Sequence, residues 1–248
     1  VDPFEHTVAE IGRWNRILEQ RSAQLSHALT VQDVHRARSE GKIAVIYGFQ
    51  NSLMLGDKPE RVAIFADLGV RVFQLTYNSA VPVGDGSLAP ENRGLSAFGR
   101  AVVERLNAAR VLCDLSHSGE QTCLDAIRHS KQPVLISHTG CRGVNDSPRN
   151  KSDAELRLLA ERGGYVGIYF MTFLSKTGLA TGEDVMAHID HAVNVCGEDH
   201  VRIGTDLGPS DVGNLEDYMK RQREYLAIRR KQGIAAPGER ADKPYFAI

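Results

Sequence analysis

Val111-Leu112-Cys113-Asp114-Leu115-Ser116-His117 and Pro133-Val134-Leu135-Ile136-Ser137-His138 decide how this chain reads. Each is a short, continuously apolar run closed by histidine, and a helix-length segment separates the two. Runs of this kind, apolar without alternation, read as strands buried on both faces. Parallel strands joined by a helix lie close together and point the same way. The two histidines are therefore expected at the C-terminal edge of one sheet, on the same face. Neutral imidazole is a good zinc ligand, so the pair is a candidate metal site. A single strand-end histidine is more often a hydrogen-bonded structural group, and it is the repeated placement that favours the site.

Outward from this pair the pattern repeats. Strand-like runs occupy 43–49, 71–77, 165–170 and 201–206. Between the strands lie helical patterns. Residues 58–67 form a short one. In 95–109, Phe98, Val102, Leu106 and Ala109 share one face, and Leu124 and Ile127 mark the next helix. Another opens at Ser152-Asp153 with Glu155 supporting its start, and Gly163-Gly164 ends it. In 183–196 the apolar face is Val185, Ile189, Ala192 or Val193, and Cys196. Alternating strands and helices give an α/β fold, either a barrel or a doubly wound sheet. No GxGxxG follows a strand and there is no Walker loop, so the nucleotide-binding version has little support.

Gln50, Tyr77, His117, His138 and Asp206 all fall at C-terminal strand ends, which favours a (β/α)8 TIM-type barrel. That fold needs eight strands, and six are visible. The first 40 residues read as helix and loop without a convincing strand, and Gly233–Ile248 reads as irregular loop. Residues 1–248 are thus expected to form one barrel domain incomplete at both ends. A strand is expected ahead of Val1, and a strand and helix beyond Ile248.

Composition narrows the partners. The 248 residues are 42% hydrophobic and 25% charged with a net charge of −1, which points to neither nucleic acid nor a membrane surface. No apolar run approaches about 18 residues. The basic run Lys220-Arg221-Gln222-Arg223 and Arg229-Arg230-Lys231, interrupted by Glu216, Asp217 and Glu224, reads as a solvated helix face. Cys113, Cys123, Cys141 and Cys196 show no CxxC spacing. Cys113 and Cys196 read as small core residues in a reduced, cytoplasmic chain, although the even number leaves a disulfide open.

Several blocks together carry a resemblance: Gly69-Val70-Arg71 with Gln74-Leu75-Thr76-Tyr77-Asn78; Gly94-Leu95-Ser96-Ala97-Phe98-Gly99 with Val102-Val103 and Asn107; Asp114 to His117; Pro133-Val134 through Ser137-His138; Ser147-Pro148-Arg149-Asn150; and Gly204-Thr205-Asp206. In this order they resemble the renal (membrane) dipeptidase family, the M19 metallopeptidases. The resemblance implies an amidohydrolase-type (β/α)8 barrel with two zinc ions. It implies that His117 and His138 hold one zinc and that Arg149 binds the substrate carboxylate. Asp206, it implies, assists proton transfer. Guanidinium can meet a carboxylate with two parallel hydrogen bonds, and an aspartate beside a metal site can accept or return a proton.

Three features depart from the family. Its first strand carries His-x-Asp, and the only such triplet here, His188-Ile189-Asp190, lies in an amphipathic helix. His188 and His191 are accordingly expected on that helix's surface. Gln50 stands where the family places a bridging glutamate, and a neutral amide cannot offset two dications. Tyr77 replaces a histidine that commonly contacts substrate. The expectation is one zinc at His117 and His138, completed by water or Asp206. A second ion is weak or absent, and Gln50 is a weak or lost ligand position. The function implied is a zinc-dependent dipeptidase-like hydrolase of dipeptides or small amides. The alternatives are an impaired barrel that binds a small molecule and a one-metal hydrolase of a non-peptide amide or ester. The expected partner is a small substrate with a free carboxylate, bound with Tyr77 and Arg149, and the chain could form a homodimer.

Overall fold

The computed structural model describes residues 2–208 and 213–246. The chain-end expectations turn on Val1 and Ile248, which lie outside them. Strands β1 (Leu25–His27) and β2 (Ile43–Val45) pair in parallel, with helix α2 (Val31–Ser39) between them in the chain. Strands β3 (Tyr47–Phe49), β4 (Val70–Gln74), β5 (Leu112–Asp114), β6 (Leu135–Thr139), β7 (Tyr165–Ile168) and β8 (Val201–Ile203) form a six-stranded parallel sheet in chain order. The crossovers are α3 (Arg61–Asp67), α4 (Ala97–Ala109), α5 (Glu120–His129), α6 (Asp153–Glu161) and α7 (Gly182–Cys196).

A doubly wound sheet reverses its strand order at a switch point. This one does not. Crossovers of one hand in unbroken order place every helix on the same face, and each of α3 to α7 touches the next. This is the wall of a TIM-type barrel, with helices outside and strand ends gathered at one rim. Among the described residues no ladder joins β8 to β1.

Two expectations need correction. The run 43–49 is divided at Ile46, so that β2 pairs with β1 while β3 pairs with β4. The first 40 residues, read as strandless, contain β1. Leu25-Ser26-His27 is too short and too evenly half-buried to carry a periodic signal, and its ladder to Ile43–Val45 is what makes it a strand. Ahead of it, α1 (Pro3–Gln20) starts at Asp2, whose side chain accepts the Phe4 N–H.

The expected helix faces form the core. Val102, Leu106, Ile127, Leu156 and Leu159 are buried against Phe73, Cys113, Ile136 and Val166 from the sheet. Each large side chain contributes about 2–3 kcal/mol by leaving water. Ser152 and Glu155 form the expected capping box of α6.

His188 and the basic run are also corrected. His188 is fully buried on the Val185–Ala192 face of α7. Its Nδ1 accepts the Cys141 N–H at 2.8 Å and its Nε2 lies 3.0 Å from the Leu174 carbonyl, so it ties two rim loops to the helix. His191 is half-buried and sits 2.7 Å from Asp153. The basic run lies on α8 (Leu215–Lys231), but Arg229 is buried there. All four cysteines are free thiols; Cys113 is buried and Cys196 half-buried. No described helix is long and apolar enough to cross a membrane.

One irregularity bears on the site. Ile136 pairs with Val166 and Thr139 with Ile168, so β6 carries one residue more than β7 across this stretch. The bulge falls at Ser137-His138. It presses the Ser137 carbonyl against Gly167 and Gly204, where a Cβ at either position would collide with that oxygen. Bulges re-aim side chains, and this one sets the direction of His138.

Candidate metal and substrate site

Asp114, the last residue of β5, ties two strand ends together. Its Oδ1 accepts the Ser116 N–H at 3.1 Å, the Ser116 hydroxyl at 2.6 Å and the Ser137 N–H at 3.0 Å. Its Oδ2 accepts the Ser137 hydroxyl at 2.5 Å. Because Ser137 donates to the carboxylate, its oxygen is left to accept from His138 Nδ1, 2.8 Å away. His138 therefore carries its proton on Nδ1 and a bare lone pair on Nε2.

His117 reaches the same state by another route. Asn78 donates from Nδ2 to the Ile234 carbonyl at 2.8 Å, which orients its Oδ1 toward His117 Nδ1 at 2.7 Å. His117 is again the Nδ1–H tautomer. The two rings lie 5.0 Å apart at 65°. Burial holds the pKa of His117 well below the ordinary histidine value, with Arg149 adding to the effect. Burial lowers that of His138 too, against the opposing pull of Asp206 and Asp114. Both rings are thus kept neutral, as metal ligation requires.

His138 Nε2 is buried without a hydrogen-bond partner, and Asp206 Oδ1 lies 4.0 Å from it. A buried acceptor left unpaired calls for an explanation, and a nitrogen that ligates a metal supplies one. Asp206 follows β8 in the left-handed region at φ 58°, a conformation that aspartate tolerates better than most residues. The donor set is nonetheless small. No group of three or more His, Cys, Asp or Glu among the described residues is arranged to hold a metal. Two imidazole nitrogens suit one ion, and Gln50 brings no charge for a second.

The site opens on a cavity of about 230 Å³ lined by Gln50, Tyr77, His117, Arg149 and Asp206, with α8 and the segment after it closing the far side. His138 stands beside His117 at its edge. The Arg149 guanidinium is buried, donates to the Ser116 carbonyl at 2.8 Å and lies 6.0 Å from the Phe173 ring centre. It makes no ion pair among the described residues, so its charge is available to a ligand. Tyr77 stacks on His117 with ring centres 4.2 Å apart. Its hydroxyl accepts from Arg229 Nη1 at 2.9 Å.

The structure thus brings together Gln50, Tyr77, His117, His138, Arg149 and Asp206. It adds Asp114, Asn78, Arg229 and Glu239, to which the sequence reading gave no role in the site. Asp114 was visible as the acidic residue within a strand run. Arg229 and Glu239 carried no signal, since each looks like an ordinary surface charge.

The sequence profile of the membrane dipeptidase family (peptidase family M19) matches residues 2–232. The chain belongs to that family. It is 34% identical to dipeptidase tcpJ of Claviceps purpurea over 220 residues, covering 86% of this chain and 52% of that protein. It is 32% identical to dipeptidase verJ of Clonostachys rogersoniana over 206 residues, covering 81% and 52%. The chain therefore spans about half the length of these two relatives. Among solved structures, an amidohydrolase from Pseudomonas aeruginosa superposes with a TM-score of 0.86 at 33% identity, covering 99% of this chain and 73% of that one. A metallopeptidase from Rhodobacter sphaeroides, solved with a phosphinate mimic of the dipeptide L-Ala-D-Ala, shares the fold with a TM-score of 0.76 at 24% identity, covering 94% and 70%.

Proposed function

We propose that this chain carries a metal-dependent, dipeptidase-like hydrolase site for dipeptides or similar small amides with a free carboxylate. The observation that carries this is the pair of imidazoles, both locked as Nδ1–H tautomers beside one cavity, with an unpaired buried Nε2 on His138. His117 and His138 would hold one zinc ion, with Asp206 close enough to join. Zinc in such a site lowers the pKa of water toward about 7 and polarises a scissile carbonyl.

The chain's own residues supply the rest. Arg149 receives the substrate carboxylate through parallel hydrogen bonds and so sets the register of the amide in the cavity. Asp206, 4.0 Å from His138 Nε2, takes a proton from the attacking water and returns it to the leaving amine. Tyr77 and Phe173 form apolar walls that keep bulk water from the reacting groups. The free thiols of all four cysteines support a reducing, cytoplasmic setting.

Gln50 favours a second reading. A neutral side chain at this cavity leaves the metal charge poorly offset, as in a site that binds a small molecule without hydrolysing it. Zinc content by elemental analysis, paired with a dipeptide hydrolysis assay, separates the two. The expected result is no more than one zinc per chain, lost in His138→Ala and raised by Gln50→Glu, with measurable hydrolysis. Full zinc retention in His138→Ala overturns the metal assignment. A zinc-loaded protein that binds dipeptides and turns none over establishes the second reading.

A further inference from the structure

Arg229 and Glu239 form a buried ion pair at the cavity wall that the hydrolytic reading does not use. Arg229 Nη2 and Nε meet the two carboxylate oxygens of Glu239 at 2.7 and 2.9 Å. Glu239 also accepts the Ala236 N–H at 2.8 Å. The side chains are 5% and 1% exposed. Burying two charges is costly before pairing offsets it, so a purely packing role would be served as well by apolar residues. With one edge of the guanidinium engaged by Glu239, Nη1 is left for the Tyr77 oxygen at 2.9 Å.

Guanidinium has donors and no acceptor. The Tyr77 oxygen must therefore accept from Arg229, and its own proton must point elsewhere. The ring cannot swing away, because it is stacked on His117 with an interplanar angle of 20°. Among the described residues no acceptor takes the phenol proton, and Tyr77 lines the cavity together with Arg149 and Asp206. We infer that Arg229, braced by Glu239, is a positioning residue that fixes Tyr77 as a hydrogen-bond donor to a substrate oxygen that takes up negative charge during the reaction. Arg229 is excluded as a second carboxylate anchor by its bidentate partner. The inference rests on the hydrolytic reading for the identity of the substrate, and on geometry alone for the Arg229–Tyr77 link.

The test has two arms. In the first, dipeptide hydrolysis is measured for Tyr77→Phe, Arg229→Met, Arg229→Lys and the double variant Tyr77→Phe/Arg229→Met. Loss of a donor to a developing oxyanion lowers kcat on the order of 100-fold. Both Tyr77→Phe and Arg229→Met are expected to show this with KM little changed. The double variant should be no worse than either single one, and Arg229→Lys should recover part of the loss. Independent, multiplicative losses overturn the inference. Tyr77→Phe leaves the ion pair intact, so its effect is readable even if Arg229→Met folds poorly.

In the second arm, tyrosine ring signals are followed by NMR on protein with labelled tyrosine, without metal or substrate. The Tyr77 signal, shifted by stacking on His117, should move in Arg229→Lys, while that of the distant Tyr165 stays fixed. An unmoved Tyr77 signal overturns the positioning role whatever the enzyme does. If the unmodified protein hydrolyses no dipeptide while the Tyr77 signal still moves, the hydrolytic reading fails and the link stands.

Discussion

Asp114→Asn changes one atom's chemistry at the centre of the site and is expected to switch the tautomer of His138. The three donors on Oδ1, namely Ser116 N–H, Ser116 hydroxyl and Ser137 N–H, allow only one orientation of the new amide, with its oxygen in their place. Its NH2 group must then face Ser137 Oγ, which now accepts where it had donated at 2.5 Å. The freed Ser137 hydroxyl proton has two neighbours: Ser116 Oγ at 2.9 Å already accepts the His138 N–H, which leaves His138 Nδ1 at 2.8 Å as the open acceptor. Nδ1 becomes an acceptor, and the ring proton moves to Nε2, where the metal lone pair had been.

The magnitudes follow from the bond count. Charge-assisted hydrogen bonds are about twice as strong as neutral ones. Weakening those to Asp114 while keeping their geometry costs about 2–3 kcal/mol of stability, or roughly 5–10 °C in Tm for a chain of this size. Loss of the partner that orients a metal ligand typically costs about 10–100-fold in affinity. Zinc affinity is measured by competition with a chromophoric chelator at a temperature where the variant is folded, and the tautomer by nitrogen NMR of histidine. A variant that binds zinc as tightly as the unmodified chain would refute the tautomer argument. So would a His138 still protonated on Nδ1.

Arg149→Met should weaken ligands with a free carboxylate by about 2–3 kcal/mol and amidated analogues little; equal losses in calorimetry would make Arg149 structural. The metal-free protein should lose stability as pH falls below about 6.5. Burial lowers the folded-state pKa of His27, His117, His138 and His188, so below the unfolded value the unfolded chain takes up protons that the native state resists. Denaturation midpoints that do not change between about pH 7 and pH 5 would contradict this. Gly204→Ala should cost about 3 kcal/mol in urea denaturation, because its Cβ would strike the Ser137 carbonyl of the β6 bulge. Unchanged stability would show that the bulge has room to relax.

The barrel wall was legible because its central strands, β4 to β7, are mostly buried and so read as short apolar runs. Runs such as 111–117 and 133–138 have no other comfortable reading, and the helix faces with Val102, Leu106 and Leu156 repeat at 3.6 residues. The strand-end histidines were legible for the same reason, since their positions follow from the runs they close. His188 was misread although its face was identified correctly. Val185 and Ala192 share that face with it, and a histidine three residues after one apolar position can be buried if both nitrogens are satisfied, as here. Strand β1 was missed because three half-buried residues have no period. Arg229 and Glu239 were beyond reach. They lie ten residues apart with a loop between them, and nothing in a lone charge says that a distant tyrosine will meet it.

The two imidazoles are supported unequally. His138 leans through Ser137 on a carboxylate, whereas His117 leans on the neutral amide of Asn78. A negative charge at the end of such a chain raises the basicity of the far nitrogen, and a neutral carbonyl does so less. His138 is therefore the stronger donor of the pair, and its support comes entirely from the ends of β5 and β6. The support of His117 comes from outside the sheet. Asn78 is oriented by Ile234, and Tyr77 beside it by Arg229 and Glu239. One half of the site is built into the barrel wall, and the other is assembled only when α8 and the segment after it are in place.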